Sequence, residues 1–213
     1  MQGKLIIISF ILISYLSSCS NSGGANQKSF CDTVCLKDSI KFRDEQNKFR
    51  PYVFISAKNC MADTLKWGYA RGSKTSMAFQ KYKLNKDFTR CYFNDTSYAW
   101  LVFNICETGR GYVFKVPYNK NVQLFKSSAA LNNLDPKFSV AQGLVAYTDR
   151  GNIFVEDMVT QKKAMMTFGK ATEMELDFIH EVIDSVNITP SRIWAKLKID
   201  GEWKEIEKNI VLK

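Results

Sequence analysis

The chain has 213 residues, 46% hydrophobic and 13% aromatic, which suffices for the core of one domain or two very small ones and excludes a disordered or collagen-like chain. Thirty Lys and Arg stand against 21 Asp and Glu, a formal charge of +9, with a single histidine. Such an excess favours acidic partners such as lipid headgroups or polyanionic glycans. The cations are scattered rather than blocked along the chain, which reads as a generally basic, solvated surface.

Lys4 precedes an apolar run from Leu5 to Leu16 broken only by serine and tyrosine. A helix of that length rises about 18 Å, short of a hydrocarbon layer of about 30 Å, so a signal-peptide core is expected rather than a membrane span. Leu16-Ser17-Ser18-Cys19 follows at once and resembles the lipobox of bacterial lipoproteins. The resemblance implies that residues 1–18 are a lipoprotein signal peptide and that Cys19 carries diacylglycerol and palmitate-type acyl chains. Each buried methylene contributes about 0.8 kcal/mol, so two or three chains anchor the mature protein to its membrane. Ser20 stands where aspartate commonly signals inner-membrane retention, which points to the outer membrane of the cell envelope. A nucleic-acid partner is not expected at that address. Residues 20–29, small and polar, cannot bury enough surface to order themselves and read with Cys19 as a flexible tether over 19–29.

The domain is expected over residues 30–213. Five cysteines remain there after Cys19: Cys31, Cys35, Cys60, Cys91 and Cys106. In an oxidising compartment they allow up to two disulfides and one leftover thiol, and sequence does not choose among the connectivities or exclude five separate buried thiols. Cys31 and Cys35 lack the paired motifs or nearby histidines of a zinc site, so no metal is expected.

Short runs rich in Val, Ile, Phe, Tyr and Trp recur between Gly, Asn, Asp and Pro. Strands are expected at Tyr52–Ser56, Thr64–Ala70, Met77–Tyr82, Trp100–Ile105, Tyr112–Val116, Val122–Phe125, Leu144–Thr148, Ile153–Glu156, Ala164–Phe168, Ser185–Thr189, Ile193–Ile199 and Trp203–Ile210. One short helix is expected near 171–183, where Met174, Phe178 and Val182 fall four apart. The strands group into meanders at Trp100–Lys126, Leu144–Phe168 and Ser185–Ile210, with a less regular unit over 38–83. Middle strands begin near 112, 153 and 193, a step of about 40 residues typical of propeller blades and other meander arrays. The expected fold is therefore all-β, built of about four repeated antiparallel meanders, with a propeller-like array favoured over a sandwich.

Leu134-Asp135-Pro136-Lys137-Phe138-Ser139 leads through Gly143 to Val145-Ala146-Tyr147-Thr148-Asp149-Arg150-Gly151-Asn152 and on to Asp157. In order and spacing this stretch, about residues 134–158, resembles the WD40-like repeat of TolB-type β-propellers. The Pro-Asp-Gly turn of that repeat is replaced by Val140, Ala141, Gln142 and Gly143, and no other unit carries the whole pattern. Physically, alternation at 145–148 followed by the turn residues Asp149 to Asn152 makes a hairpin.

Catalytic constellations are sparse. His180 sits beside Glu181 with no nucleophile elbow, zinc helix or phosphate loop, and no cofactor is implied. Trp67, Tyr69, Trp100, Trp194 and Trp203 are candidates for stacking on sugars or anchoring an interface, although aromatic stripes in meanders also fill cores. Asp32-Thr33-Val34, Asp38-Ser39-Ile40, Asp63-Thr64-Leu65 and Asp184-Ser185-Val186 resemble the O-glycosylation triplet of exported Bacteroidetes proteins, which makes Thr33, Ser39, Thr64 and Ser185 candidate acceptors. The functional expectation is a lipid-anchored, non-catalytic binding or assembly module with an envelope protein partner. The alternative is a surface glycan-binding or glycan-processing protein. Cells fed a labelled fatty acid are expected to label the wild-type protein and not Cys19→Ala; label retained by the variant contradicts the anchor.

Overall fold

The computed structural model describes residues 30–31, 35–72, 74–94, 97–168 and 182–213. Cys19, the signal and tether segments, Thr33, His180 and residues 171–181 of the expected helix lie outside them. The described residues form an all-β fold of sixteen strands and one turn of 3-10 helix at Lys86–Phe88. The first sheet runs β1 (Ile40–Arg43), β2 (Pro51–Lys58), β3 (Met61–Tyr69), β4 (Lys74–Tyr82). The second runs β5 (Thr89–Asn94), β6 (Tyr98–Asn104), β7 (Gly111–Pro117), β8 (Phe125–Ser127). In the third, β9 (Ala130–Leu131) borders the meander β11 (Leu144–Asp149), β12 (Asn152–Asp157), β13 (Lys163–Thr167). The fourth places β10 (Phe138–Val140) beside β14 (Ile183–Thr189), β15 (Arg192–Ile199), β16 (Glu202–Asn209). Only β10 with β14 is a parallel pair among the described strands.

Each expected meander is thus one sheet, enlarged by a strand that the sequence pattern did not reveal. Two expectations need correction. The strand expected at Val122–Phe125 starts at Phe125, because Asn119 captures the preceding residues in a turn: its Oδ1 accepts from Asn121 N at 2.9 Å and its carbonyl from Val122 N at 3.1 Å. The expected helix does not extend to Ile183, which opens β14 and is fully buried.

Side-chain alternation fixes how the sheets pack. Ile40, Val53, Ile55, Leu65 and Trp67 of the first sheet meet Ala99, Leu101, Phe103 and Phe114 of the second. The opposite face of the second sheet, Tyr98, Trp100, Val102 and Val113, meets Ala130, Val145 and Tyr147 of the third. The third then turns Leu144, Ala146, Ile153 and Val155 to Val186, Ile188, Ile193 and Ala195 of the fourth. The four sheets therefore pack face to face in succession, and no core cluster among the described residues joins the first to the fourth. Between the second and third sheets the buried Asn132 Nδ2 donates to Asn104 Oδ1 at 2.7 Å. A Cβ on Gly111 would strike the carbonyl oxygen of Ala130, so β7 approaches β9 closely only because residue 111 is glycine.

Tight turns set the registers. Arg150 and Gly151, Asp200 and Gly201, and Asn59 and Cys60 each occupy positive φ in two-residue loops between paired strands, the geometry of hairpins matched to strand twist. At Cys60 (φ 64°) a side chain stands where glycine is the usual choice, and it bonds to Cys35. The other pair is Cys31 with Cys106, and Cys91 is free. Together the two bridges fasten the segment entering β1 to the first sheet and to the β6–β7 loop of the second. Their sequence separations of 25 and 75 correspond to about 3.5 and 4.5 kcal/mol of unfolded-state entropy, respectively. Under reductant, amides of residues 35–127 are expected to gain hydrogen exchange before those of 138–209. Alkylation of the unfolded, unreduced protein should mark Cys91 alone among these five; equal loosening of both halves, or five alkylated thiols, contradicts the assignment.

Candidate functional site

The first and fourth sheets each have an outer face that no described sheet covers, and the two faces differ in charge. On the first sheet, alternation in β1 and β2 sends Ile40, Val53 and Ile55 inward and Lys41, Arg43, Tyr52 and Phe54 outward. Register then builds two rows across the strands: Lys41–Phe54–Lys66–Ser76 and Arg43–Tyr52–Gly68–Lys74. Neighbours in a row are about 4.8 Å apart, and the rows about 7 Å apart. Lys41, Arg43, Lys66 and Lys74 are exposed, while Tyr52 and Phe54 are half-buried between them. The Lys41 ammonium lies 5.5 Å from the centre of the Phe54 ring.

A groove of about 440 Å³ runs over this face, lined by Lys41, Arg43, Arg50, Tyr52, Phe54 and Lys74. Arg50 reaches it from the β1–β2 loop, where its φ of 46° is unusual for a side chain. Hydrogen bonds hold that loop: Asp44 Oδ1 accepts from Gln46 N at 3.0 Å and Asn47 N at 3.2 Å, and Arg50 N donates to Asn47 O at 2.8 Å. The one acidic lining residue, Glu45, lies 3.9 Å from both Arg43 Nη1 and Arg50 Nε. All three side chains are mostly in water, so these contacts are weak and leave both guanidinium groups open to another anion. Burial pushes the Tyr52 phenol up, which keeps it protonated as a donor. On the fourth sheet, by contrast, Arg192 pairs with Glu207 at 3.4 Å and Lys196 with Asp184 at 3.6 Å.

The aromatic candidates separate by burial. Trp67 and Trp100 are core residues: their indoles donate to Pro117 O at 2.7 Å and Met158 O at 3.4 Å, and neither is available for stacking. Trp203 is 46% exposed and Trp194 half-buried on the fourth sheet, while Tyr69 is half-buried beside Tyr118. Tyr52 and Phe54, which the sequence did not single out, become prominent only through their cationic neighbours. Of the candidate glycosylation residues, Ser39 is half-buried just before β1. Thr64 and Ser185 lie in strands and donate to the preceding aspartates, Asp63 Oδ2 at 2.9 Å and Asp184 Oδ2 at 3.1 Å.

Glu156 is the most enclosed carboxylate of the described chain, with its side chain 3% exposed. Its two oxygens take Lys115 Nζ and Lys163 Nζ, each at 3.0 Å. Lys115 also bonds Gln161 Oε1 at 2.7 Å and lies 4.3 Å from the Tyr98 ring centre. The cluster ties β7 to β12 and β13, and its groups are already partnered. Cys91 packs half-buried against the core of the first two sheets, where burial pushes its thiol up and away from nucleophilic thiolate. Among the described residues no group of three His, Cys, Asp or Glu is placed to hold a metal. No protein-family model matches the chain, and no curated protein matches it in sequence.

Glu156→Gln is expected to cost about 2 to 4 kcal/mol in urea unfolding, less than a wholly buried pair because Lys163 is half in water. The hydrogen bond from Lys163 to Glu156 holds the lysine above its ordinary value of 10.5. Its stabilisation is therefore complete below that value and lost as pH rises through the higher folded one. Stability of the wild type should show this alkaline loss, and Glu156→Gln should lack it; identical pH profiles contradict the assignment.

Proposed function

We propose that this protein is a lipid-anchored envelope protein, held through Cys19, that acts as a non-catalytic binding module for an anionic partner. The observation that carries the reading is the outer face of the first sheet, where Lys41, Arg43, Lys66 and Lys74 surround Tyr52 and Phe54 with no acidic residue in either row. Cations spaced by strand register present a fixed array of donors, and aromatic rings between them offer an apolar contact, the combination by which charge complementarity yields specificity. The lipobox resemblance supplies the address, with the outer membrane as the proposed site and Ser20 to Ser29 as the tether.

The same reading takes the four sheets as propeller-type blades. Its support is the repeated four-stranded unit, the step of about 40 residues between middle strands and the packing of each sheet on the next. Blade arrays commonly leave faces and rims for partners, an analogy of fold that supports binding without naming a ligand.

Charge location separates this proposal from a merely basic surface. Full-length protein in detergent is applied to an immobilised polyanion and eluted with salt, comparing Arg43→Glu/Lys74→Glu with Lys196→Glu/Lys198→Glu. Both variants change net charge equally. The first is expected to elute at clearly lower salt and bind at least tenfold more weakly, the second to bind like the wild type. Equal weakening by both rejects the face as the binding site.

A further inference from the structure

We propose that the groove on the first sheet binds an acidic polysaccharide, its sugar rings lying on Tyr52 and Phe54 and its carboxylates taken by Lys41, Arg43, Arg50 and Lys74. This rests on the reading of that face as an anion-binding surface and adds what kind of anion enters it.

Depth is the first argument. Tyr52 and Phe54 form the floor and are half-buried, while Lys41, Arg43 and Lys74 stand exposed around them. A flat bilayer of acidic headgroups would meet the cationic tips and leave the rings untouched. A ligand that uses the floor must enter the groove, whose volume of about 440 Å³ is within the range of about 300–1,000 Å³ usual for binding sites.

Chemistry is the second. A sugar ring has an apolar face that suits an aromatic ring, a rim of hydroxyls and, in an acidic sugar, a carboxylate. Against these the groove sets the rings of Tyr52 and Phe54, the hydroxyl of Tyr52, and the guanidinium forks of Arg43 and Arg50, able to grip a carboxylate by paired hydrogen bonds. The two rings are two residues apart on β2, about 7 Å, so one extended ligand can touch both.

The test is calorimetric titration of the full-length protein in detergent with oligogalacturonate. Uncharged dextran oligomers, single-stranded DNA and phosphatidylglycerol vesicles serve as comparison ligands. Arg43→Gln/Lys74→Gln and Phe54→Ala are titrated alongside the wild type, each with a thermal melt to establish that it is folded; Tyr52→Phe supplies a milder probe of the floor should Phe54→Ala melt early. Oligogalacturonate is expected to bind the wild type, at least tenfold more weakly after Arg43→Gln/Lys74→Gln, at least fivefold more weakly after Phe54→Ala, and measurably more weakly after Tyr52→Phe. Dextran should not bind. Binding reduced by the charge changes and untouched by Phe54→Ala and Tyr52→Phe overturns the polysaccharide and leaves the anion-binding reading standing. Tighter binding of DNA or vesicles than of oligogalacturonate does the same. Binding of every anion unaffected by Arg43→Gln/Lys74→Gln overturns both.

Discussion

Every residue of β6 from Tyr98 to Asn104 is buried and β7 beside it leaves only Lys115 partly exposed, so the second sheet is stable only with a neighbour against each face. That constraint organises the molecule. The first sheet covers Ala99, Leu101 and Phe103, the third covers Tyr98, Trp100 and Val102, and the third in turn needs the fourth for Ile153 and Val155. Two of the polar groups in these layers come with partners, Asn104 with Asn132 and Glu156 with its two lysines, while the buried Tyr118 hydroxyl has no hydrogen-bond partner among the described residues. Because the layers are consumed in covering one another, the outer faces of the first and fourth sheets are the ones that no other described sheet covers. The fourth pairs its cations with Asp184 and Glu207, whereas on the first Glu45 stands 3.9 Å from Arg43 and Arg50 and the rows of Lys41, Lys66 and Lys74 contain no acidic residue.

The disulfides matter to the site through the strand that borders it. β1 is four residues long and an edge strand, too short to rely on ladder hydrogen bonds alone, yet it carries Lys41 and Arg43. Cys35 anchors its approach to the β2–β3 turn and Cys31 anchors the same segment to Cys106. Leu36 N adds a hydrogen bond to Cys60 O at 3.0 Å. The groove is therefore bordered by a short strand whose approach is fixed covalently. Among the described residues the cystines serve position as well as stability.

Local pattern carried most of the fold. The alternation Val53–Ile55 and the apolar run Trp100–Phe103 announce strands wherever they occur, and the turn residues Asp149 to Asn152 announce a hairpin whose φ values of 46° and 76° at Arg150 and Gly151 bear it out. What local pattern cannot carry is pairing at a distance. β9 has two residues, too few for any periodicity, and β10 pairs in parallel with a strand more than forty positions later, so the 134–158 stretch divides between two sheets. The site was illegible for the same reason. Lys41, Arg43, Lys66 and Lys74 look scattered in sequence and converge only once the Asn59–Cys60 turn, lacking the usual glycine, sets β3 in register against β2. Trp67 and Trp100 were conspicuous by residue type, but their positions face inward.

The central claim is that one face of one sheet is the working surface of an otherwise self-covering stack. Hydrogen exchange of the full-length protein with and without oligogalacturonate locates the contact directly. The account predicts added protection confined to residues 40–58 and 66–76, with β14, β15 and β16 unchanged. Protection centred on residues 183–209, or spread evenly over the chain, would contradict it.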